Sequence, residues 1–368
     1  MPERERGFAT RAIHGAVLPP VDQAVPSVPI FQTATYRFDT SEDYAETIAF
    51  RQAGYTYSRG YGNPTVEAFE AQIAALEGTE SAIGFASGMA AIHTLVTSLV
   101  RSGDRIVAGT QLYGGSYALF TKVLPRFGVS TDLVDPRDVE AVRAALPGAK
   151  LLYLETIANP AMAVADLEEL GRIATEAGVP SAVDNTFASP YLCNPAAFGF
   201  AYVIHSATKY LGGHHDLTGG VVCCSAEDRV RLRATVIDTG GTMAPLEAWL
   251  AMRGTMTLPI RMQRHSSTAH ALADVLEAHP NVARVHYPGL ASHPDHEIAR
   301  RILRGSGACS RSRSTAAPRP RCGSATRSSS RGSRRAWAAR TRSSGTRRPR
   351  RTVRWSRRRV GPRGSPTG

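Results

Sequence analysis

Six short apolar runs separated by amphipathic stretches constrain this chain most. They are Ser81–Ala86, Arg105–Gly109, Val129–Val134, Lys150–Leu154, Pro180–Val183 and Tyr202–His205. Runs of this length without polar alternation read as strands buried on both faces. Between them lie helical patterns at Pro64–Leu76, Met89–Val100, Ser116–Phe127, Val139–Leu146 and Leu167–Ala177. Asn63 ahead of Pro64 has the residue type of an N-cap, with proline at the first helical position. Strand–helix alternation predicts an α/β fold with a mostly parallel sheet and helices on both faces. Sheets of that kind bind ligands at the carboxyl ends of their strands.

The flanks read differently. Residues 1–55 read as an extended N-terminal arm, broken by Pro19, Pro20, Pro26 and Pro29. Residues 56–244 hold the strand–helix pattern. After Gly240–Gly241 the chain turns mainly helical, and residues 245–306 read as the opening of a second domain. A length of 368 residues suits one large domain with a smaller one. Residues 307–368 carry 19 Arg and no Lys, Asp or Glu, so the net charge of +13 leaves −6 for the rest. That tail also has no Leu, Ile, Met, Phe or Tyr. Such a composition buries too little apolar surface to offset its ordering entropy, and disorder is expected there.

Composition excludes several classes. The chain is 42 % hydrophobic, enough for a core. No apolar run reaches the roughly 18–20 residues of a membrane span. Met1–Thr10 is charged and lacks the apolar core of a signal peptide, so a cytoplasmic protein is expected. Cys193, Cys223, Cys224, Cys309 and Cys322 make neither a disulfide framework nor a metal-ligand spacing. No metal site is expected.

The strand ends carry the reactive residue types. Lys209 follows the run Tyr202–His205, where partial desolvation favours the free amine and Schiff-base chemistry with an aldehyde. Taken alone, such a lysine is more often a surface loop residue. Asp184 ends the run Pro180–Val183 and could face a protonated ring nitrogen, although turn aspartates are the commoner case. Together the two gain weight, because pyridoxal phosphate (PLP) needs a lysine for its aldehyde and an acid at its pyridinium nitrogen. Ser87-Gly88-Met89 lies between a strand and a helix, where free N–H groups suit a phosphate. Ser206 and Thr208 could add hydroxyls. Tyr113 could stack on an aromatic ring or simply belong to the core.

With those residues in place, the chain resembles the Cys/Met-metabolism class of PLP enzymes. That class includes cystathionine gamma-synthase and gamma-lyase, methionine gamma-lyase and O-acetylhomoserine sulfhydrylase. The motifs are Tyr57-Ser58-Arg59 with Gly62-Asn63-Pro64-Thr65, Ala86-Ser87-Gly88-Met89-Ala90-Ala91-Ile92 and Leu112-Tyr113-Gly114-Gly115. They continue through Glu155-Thr156 with Ala158-Asn159-Pro160, and Val183-Asp184-Asn185-Thr186. The strongest is His205-Ser206-Ala207-Thr208-Lys209-Tyr210-Leu211 with Gly213-His214. Met252-Arg253-Gly254 and His286-Tyr287-Pro288-Gly289-Leu290 follow, so the likeness covers residue 7 to about 306.

The resemblance implies a fold of the aspartate aminotransferase-like type and a role for each matching residue. Lys209 would form the Schiff base with PLP and later move the alpha and beta protons. Asp184 would keep the pyridinium protonated. Tyr113 would stack on the ring and assist at the leaving group. Ser87, Gly88, Met89, Ser206 and Thr208 would surround the phosphate, and Glu155 and Asn159 would lie near the ring hydroxyl. Tyr57 and Arg59 would reach the phosphate of a neighbouring subunit, making a dimer the minimal active unit, usually paired into a tetramer. A guanidinium fork suits a phosphate dianion.

The substrate stays open within the class. Gly7–His14 and Gln32–Thr35 look most like methionine gamma-lyase. That enzyme typically has a cysteine where this chain has Gly115, a glycine shared by the cystathionine enzymes and the sulfhydrylases. Carbon–sulfur chemistry at the gamma carbon is therefore expected, in either direction. Past Gly305 the class continues with a Ser-Leu-Gly segment and a substrate-binding arginine, and residues 307–368 contain neither motif. Read one base out of frame from Trp337, permitted codons of residues 336–352 spell a segment like the one expected there. A reading-frame shift near residue 307 is the expectation, with an incomplete second domain and exposed apolar surface on its helices. A rival of another class, a nucleic-acid-binding Arg/Ser arm, has only Trp337 and Trp355 for stacking and no repeat. An aminotransferase is a lesser rival.

Overall fold

The computed structural model describes residues 7–16 and 25–314. Two helices precede the sheet, α1 (Phe8–His14) and α2 (Ser41–Ile48), followed by α3 (Pro64–Glu77). The main run is β1 (Ser81–Phe85), α4 (Gly88–Leu99), β2 (Arg105–Gly109), α5 (Gly114–Ala118), β3 (Ser130–Val134), α6 (Val139–Ala145) and β4 (Leu151–Glu155). It continues with α7 (Leu167–Glu176), β5 (Ser181–Asp184), α8 (Ser189–Leu192), β6 (Tyr202–His205), β7 (Gly220–Cys224) and α9 (Ala226–Thr239). The last elements are α10 (Pro245–Thr255), α11 (Leu258–Glu277), β8 (Val282–His286), α12 (His296–Ile302) and β9 (Arg311–Ser314).

Seven strands form one sheet in the order β1-β7-β6-β5-β4-β2-β3. Neighbours run parallel from β6 across to β3, and β7 is antiparallel to both β1 and β6. The carboxyl ends of β1, β6, β5, β4 and β2 therefore share one edge, the binding edge of such sheets. Alternation along the strands divides the core into two clusters. Leu152, Val183, Val203 and Val221 face one cluster with α3 and α7, while Tyr153, Ala182, Ile204 and Val222 face the other with α4 and α9.

The expected N-cap forms. Asn63 Oδ1 accepts from the Thr65 N–H at 3.0 Å, with Pro64 at the first helical position. Gly78 closes the helix at φ 77°, a left-handed position that suits glycine.

Several expectations differ from the structure. The arm is not wholly extended, because Phe8–His14 and Ser41–Ile48 are helical and Thr40 caps the second through the Asp43 N–H. Ser116–Phe127 is not one helix. It passes from α5 into a π turn (Leu119–Val123) and a 3-10 turn (Leu124–Phe127), because Pro125 cannot continue an α-helical ladder. β3 lies at the sheet edge and is largely accessible rather than buried on both faces. Gly220–Cys224, fully buried, was not anticipated as a strand.

The start of the Arg-rich segment is also structured. Arg311–Ser314 pairs antiparallel with Val282–His286, and Ala308 and Cys309 pack against the main core. Backbone pairing at an edge needs no apolar side chains, so alternating Arg and Ser does not prevent it. Tyr210 Oη lies 3.0 Å from Cys309 Sγ, and Tyr287 Oη donates to the Gly307 carbonyl at 3.1 Å. The expectations of disorder, a shifted frame or a nucleic-acid arm otherwise fall on residues 315–368, outside the described residues. On α11, Ile260, Leu272 and Val275 are exposed. No helix among the described residues is long and apolar enough to cross a membrane.

One close contact fixes the helical region to the turn beyond β6. A Cβ at Gly254 in α10 would stand 2.0 Å from the Gly212 carbonyl oxygen and 2.6 Å from that of Leu211. Gly254→Ala is expected to lose about 1–3 kcal/mol of stability, more than offsetting the helix-propensity gain of about 1 kcal/mol. Urea unfolding reads this directly, and an unchanged midpoint would show that the two backbones separate at no cost.

Candidate active site

The site is assembled at the carboxyl edge of the sheet. Beyond β6 the chain turns sharply through Ser206–Gly213. The Lys209 N–H donates to the Ser206 carbonyl at 3.1 Å, and Gly213 N–H to that of Lys209 at 2.8 Å. This turn holds Lys209, half-buried, at the strand end. The adjacent strand β5 ends in Asp184, whose carboxylate accepts the Thr186 N–H at 3.0 Å. Thr186 Oγ1 in turn accepts the Ser206 N–H at 2.8 Å. The lysine turn and the aspartate turn are thus tied by one side chain, Thr186, which the sequence reading did not single out.

Glu155 ends β4 in register with Asp184. Its carboxylate accepts the Tyr113 N–H at 2.6 Å and the Asn159 N–H at 3.0 Å. These bonds bring Tyr113, Glu155 and Asn159 together, with the backbones of Tyr113 and Asn159 serving as donors. Tyr113 is 39 % exposed, so its ring is accessible rather than a core side chain. A Cβ at Gly115 would lie 2.6 Å from Tyr113 Cε1 and 2.9 Å from Met89 Sδ. Tyr113, Gly115 and Met89 therefore meet beside the start of α4.

Ser87 caps α4, its Oγ accepting the Ala90 N–H at 3.1 Å. Gly88 lies against the lysine turn, where a Cβ would come within 2.8 Å of Ser206 Cβ. Gly220 in β7 likewise leaves no room, with Ser87 O only 2.3 Å from a notional Cβ. Gly88 thus lets the start of α4 touch the lysine turn, and Gly220 lets it lie against β7. Thr208 Oγ1 accepts the Gly219 N–H at 3.0 Å, which fixes the lysine turn against the start of β7. Arg59 lies exposed over the Tyr57 ring at 5.4 Å and donates to the Ile237 carbonyl.

The electrostatics centre on the two carboxylates. Burial pushes Glu155 well above the usual carboxylate range, and the neighbouring Asp184 charge adds to this against the pull of its two N–H donors. Burial raises Asp184 as well, against the hydrogen bonds from Thr186. A raised folded value means that the native state holds a proton the unfolded chain has released. Stability of the cofactor-free chain therefore falls as pH rises from the ordinary carboxylate value through the raised ones. Glu155→Gln is expected to flatten that slope, which thermal unfolding at a series of pH values measures. A slope unaltered by the substitution would place the charge elsewhere.

The arrangement can be tested against PLP. A small-residue cradle at the start of a 12-residue helix suits a phosphate. Two adjacent raised carboxylates suit a cationic ring N–H, which would relieve their repulsion. A lysine one strand away suits the aldehyde. The residues present fit the group. Among the described residues no cluster of His, Cys, Asp and Glu could hold a metal.

Fold and site together define an α/β protein of the PLP-binding type, with a lysine in the turn beyond β6 and a carboxylate at the end of the adjacent β5. A family model for the Cys/Met metabolism PLP-dependent enzymes matches residues 9–312, and the chain belongs to that family. It is 43 % identical to the L-methionine gamma-lyase of Pseudomonas putida over 304 residues, 82 % of this chain and 76 % of that protein. It is likewise 43 % identical to a probable cystathionine gamma-synthase of Herpetosiphon aurantiacus, covering 82 % of this chain and 92 % of that one. The crystal structure of cystathionine gamma-lyase from Lactobacillus plantarum, complexed with L-serine, is similar with a TM-score of 0.78 at 39 % identity. That likeness covers 83 % of this chain and 78 % of the other.

Proposed function

We propose that the chain makes or breaks a carbon–sulfur bond at the gamma carbon of a methionine-, cystathionine- or homoserine-type amino acid, with methionine cleavage as the first reading. The observation that carries it is the Thr186 link between the Asp184 and Lys209 turns, at the edge where Gly88 meets Ser206. Bound PLP supplies an electron-withdrawing ring that stabilises negative charge on the substrate carbons. The remaining work falls to this chain. Lys209 Nζ holds the cofactor and then shuttles protons at the alpha and beta carbons. Asp184 keeps the proton on the ring nitrogen. Tyr113, accessible at the strand edge, would stack on the ring and serve the departing sulfur. Ser87, Gly88, Met89, Ser206 and Thr208 would surround the phosphate, with Glu155 and Asn159 near the ring hydroxyl. Tyr57 and Arg59 serve the phosphate of a neighbouring subunit, so the working unit is a dimer, paired into a tetramer, in the cytoplasm. The large domain is residues 56–244, with 1–55 as arm and 245–306 as part of a second domain.

Gly115 favours a second reading, cystathionine gamma-synthase or O-acetylhomoserine sulfhydrylase. Tyr113 and Met89 occupy the space that a side chain at 115 would need, and the resemblance implies a glycine there in the cystathionine enzymes and the sulfhydrylases. Product analysis separates the readings. The purified chain with PLP and methionine is expected to release a 2-keto acid, ammonia and a thiol without any amino acceptor. Cystathionine formed from an O-acylhomoserine and cysteine would favour the second reading, and a keto acid formed only with an amino acceptor would overturn both.

A further inference from the structure

The face of the sheet opposite Asp184 carries a buried polar group that the proposed chemistry does not use. Asp184 and Ile204 are paired in register, as are Leu154 and Val183 one residue earlier. The next residues along, Thr156, Asn185 and His205, alternate to the other face, towards α3. There they meet Glu77, the last residue of that helix. Glu77 Oε1 lies 2.6 Å from His205 Nε2 and accepts Asn185 Nδ2 at 2.9 Å. Glu77 Oε2 accepts Asn194 Nδ2 at 3.1 Å. Asn185 Oδ1 accepts the Thr156 hydroxyl at 2.8 Å. Glu77, Thr156, Asn185 and His205 are each at most 2 % exposed.

We infer that Glu77 is a positioning residue that clamps the carboxyl ends of β4, β5 and β6 together and so sets the placement of Asp184 against the cofactor ring. Each strand contributes the residue beside its functional one. Thr156 follows Glu155, Asn185 follows Asp184, and His205 precedes Ser206 in the lysine turn. A carboxylate that accepts from several buried donors is expensive to leave unmatched, because each donor it abandons loses its partner away from water. The clamp is therefore stiff, and its stiffness is passed by a single peptide unit to each residue on the working face. The inference rests on the proposed use of Asp184 and Lys209, but the clamp itself is a property of the cofactor-free chain.

The test compares three variants of the full chain. Glu77→Gln leaves one carbonyl oxygen for three donors. Thr156→Val removes only the hydroxyl link to Asn185. Leu170→Ala, in the apolar core on the α3 face but outside the Glu77 hydrogen-bond network, serves as a control for general destabilisation. In the cofactor-free chains, amide hydrogen exchange at residues 184–187 and 204–209 is expected to quicken in the first two variants and not in the control. With PLP added, the same two are expected to bind it about tenfold more weakly, the loss of roughly one buried hydrogen bond, and to shift the visible absorption maximum of the bound cofactor. The inference is overturned if exchange at those residues, PLP affinity and absorption maximum follow only the loss of stability, as in the control. A wild-type chain that takes up no PLP would count against the proposed function, and the exchange measurements would still judge the clamp.

Discussion

Lys209→Ala is expected to lower turnover by about 10⁴-fold, the upper range for removal of a positioned acid–base group, and to abolish borohydride-stable attachment of PLP. The sequence makes this test unusually clean. Of its 44 basic residues only Lys122, Lys150 and Lys209 are lysines. Lys122 and Lys150 are exposed, while Lys209 is half-buried at the end of β6. The turn holding Lys209 is built from backbone bonds of Ser206, Ala207 and Gly213, so alanine leaves those bonds in place and the variant is expected to fold. Mass spectrometry of the reduced, digested wild-type chain is expected to place the cofactor on the peptide containing Lys209. Label on Lys122 or Lys150, or full labelling of the variant, would remove Lys209 from its role.

Five of the six strands of the main pattern were legible because strands buried on both faces leave a continuous apolar signature. β1, β2, β4, β5 and β6 fall within a residue of the expected runs. β7 has the same signature, but its run follows the Gly-rich stretch after Lys209 with no helical pattern between, so strand–helix alternation passed over it. β9 was illegible for the opposite reason, since its Arg and Ser residues bond through the backbone to β8 and bury little. In the site, Lys209, Asp184, Glu155 and the Ser87-Gly88 turn could be read because each ends a strand or begins a helix. Thr186 was within reach, one residue past Asn185 in a motif already noted. Glu77 was not. It ends a helix 128 residues from His205 in sequence, and only the folded packing of α3 against the sheet makes it a partner. The Cβ clashes at Gly88, Gly220 and Gly254 are of the same kind, set by tertiary approach rather than by local pattern.

Asp184→Asn is expected to change activity and stability in opposite directions. The amide is nearly isosteric and can still accept the Thr186 N–H, so the turn survives. It cannot carry the charge that holds a proton on the ring nitrogen, and without that proton the ring withdraws electrons poorly. Loss of a preorganised electrostatic group of this kind costs about 10²–10³ in turnover. Stability runs the other way. Burial raises Asp184, and its charge also raises Glu155, so at alkaline pH the two ionised carboxylates repel in a poorly solvated place. Removing one charge relieves the other. The cofactor-free variant should therefore unfold at a higher temperature than the wild type above neutral pH, and the gap should close as pH falls and the wild-type pair takes up its proton. Added PLP should narrow the gap too, because the cationic ring N–H stabilises the wild-type carboxylate and not the amide. Parallel steady-state kinetics and calorimetry across pH measure both effects. A variant that is less active and also less stable at every pH would mean that Asp184 serves the turn rather than the ring nitrogen.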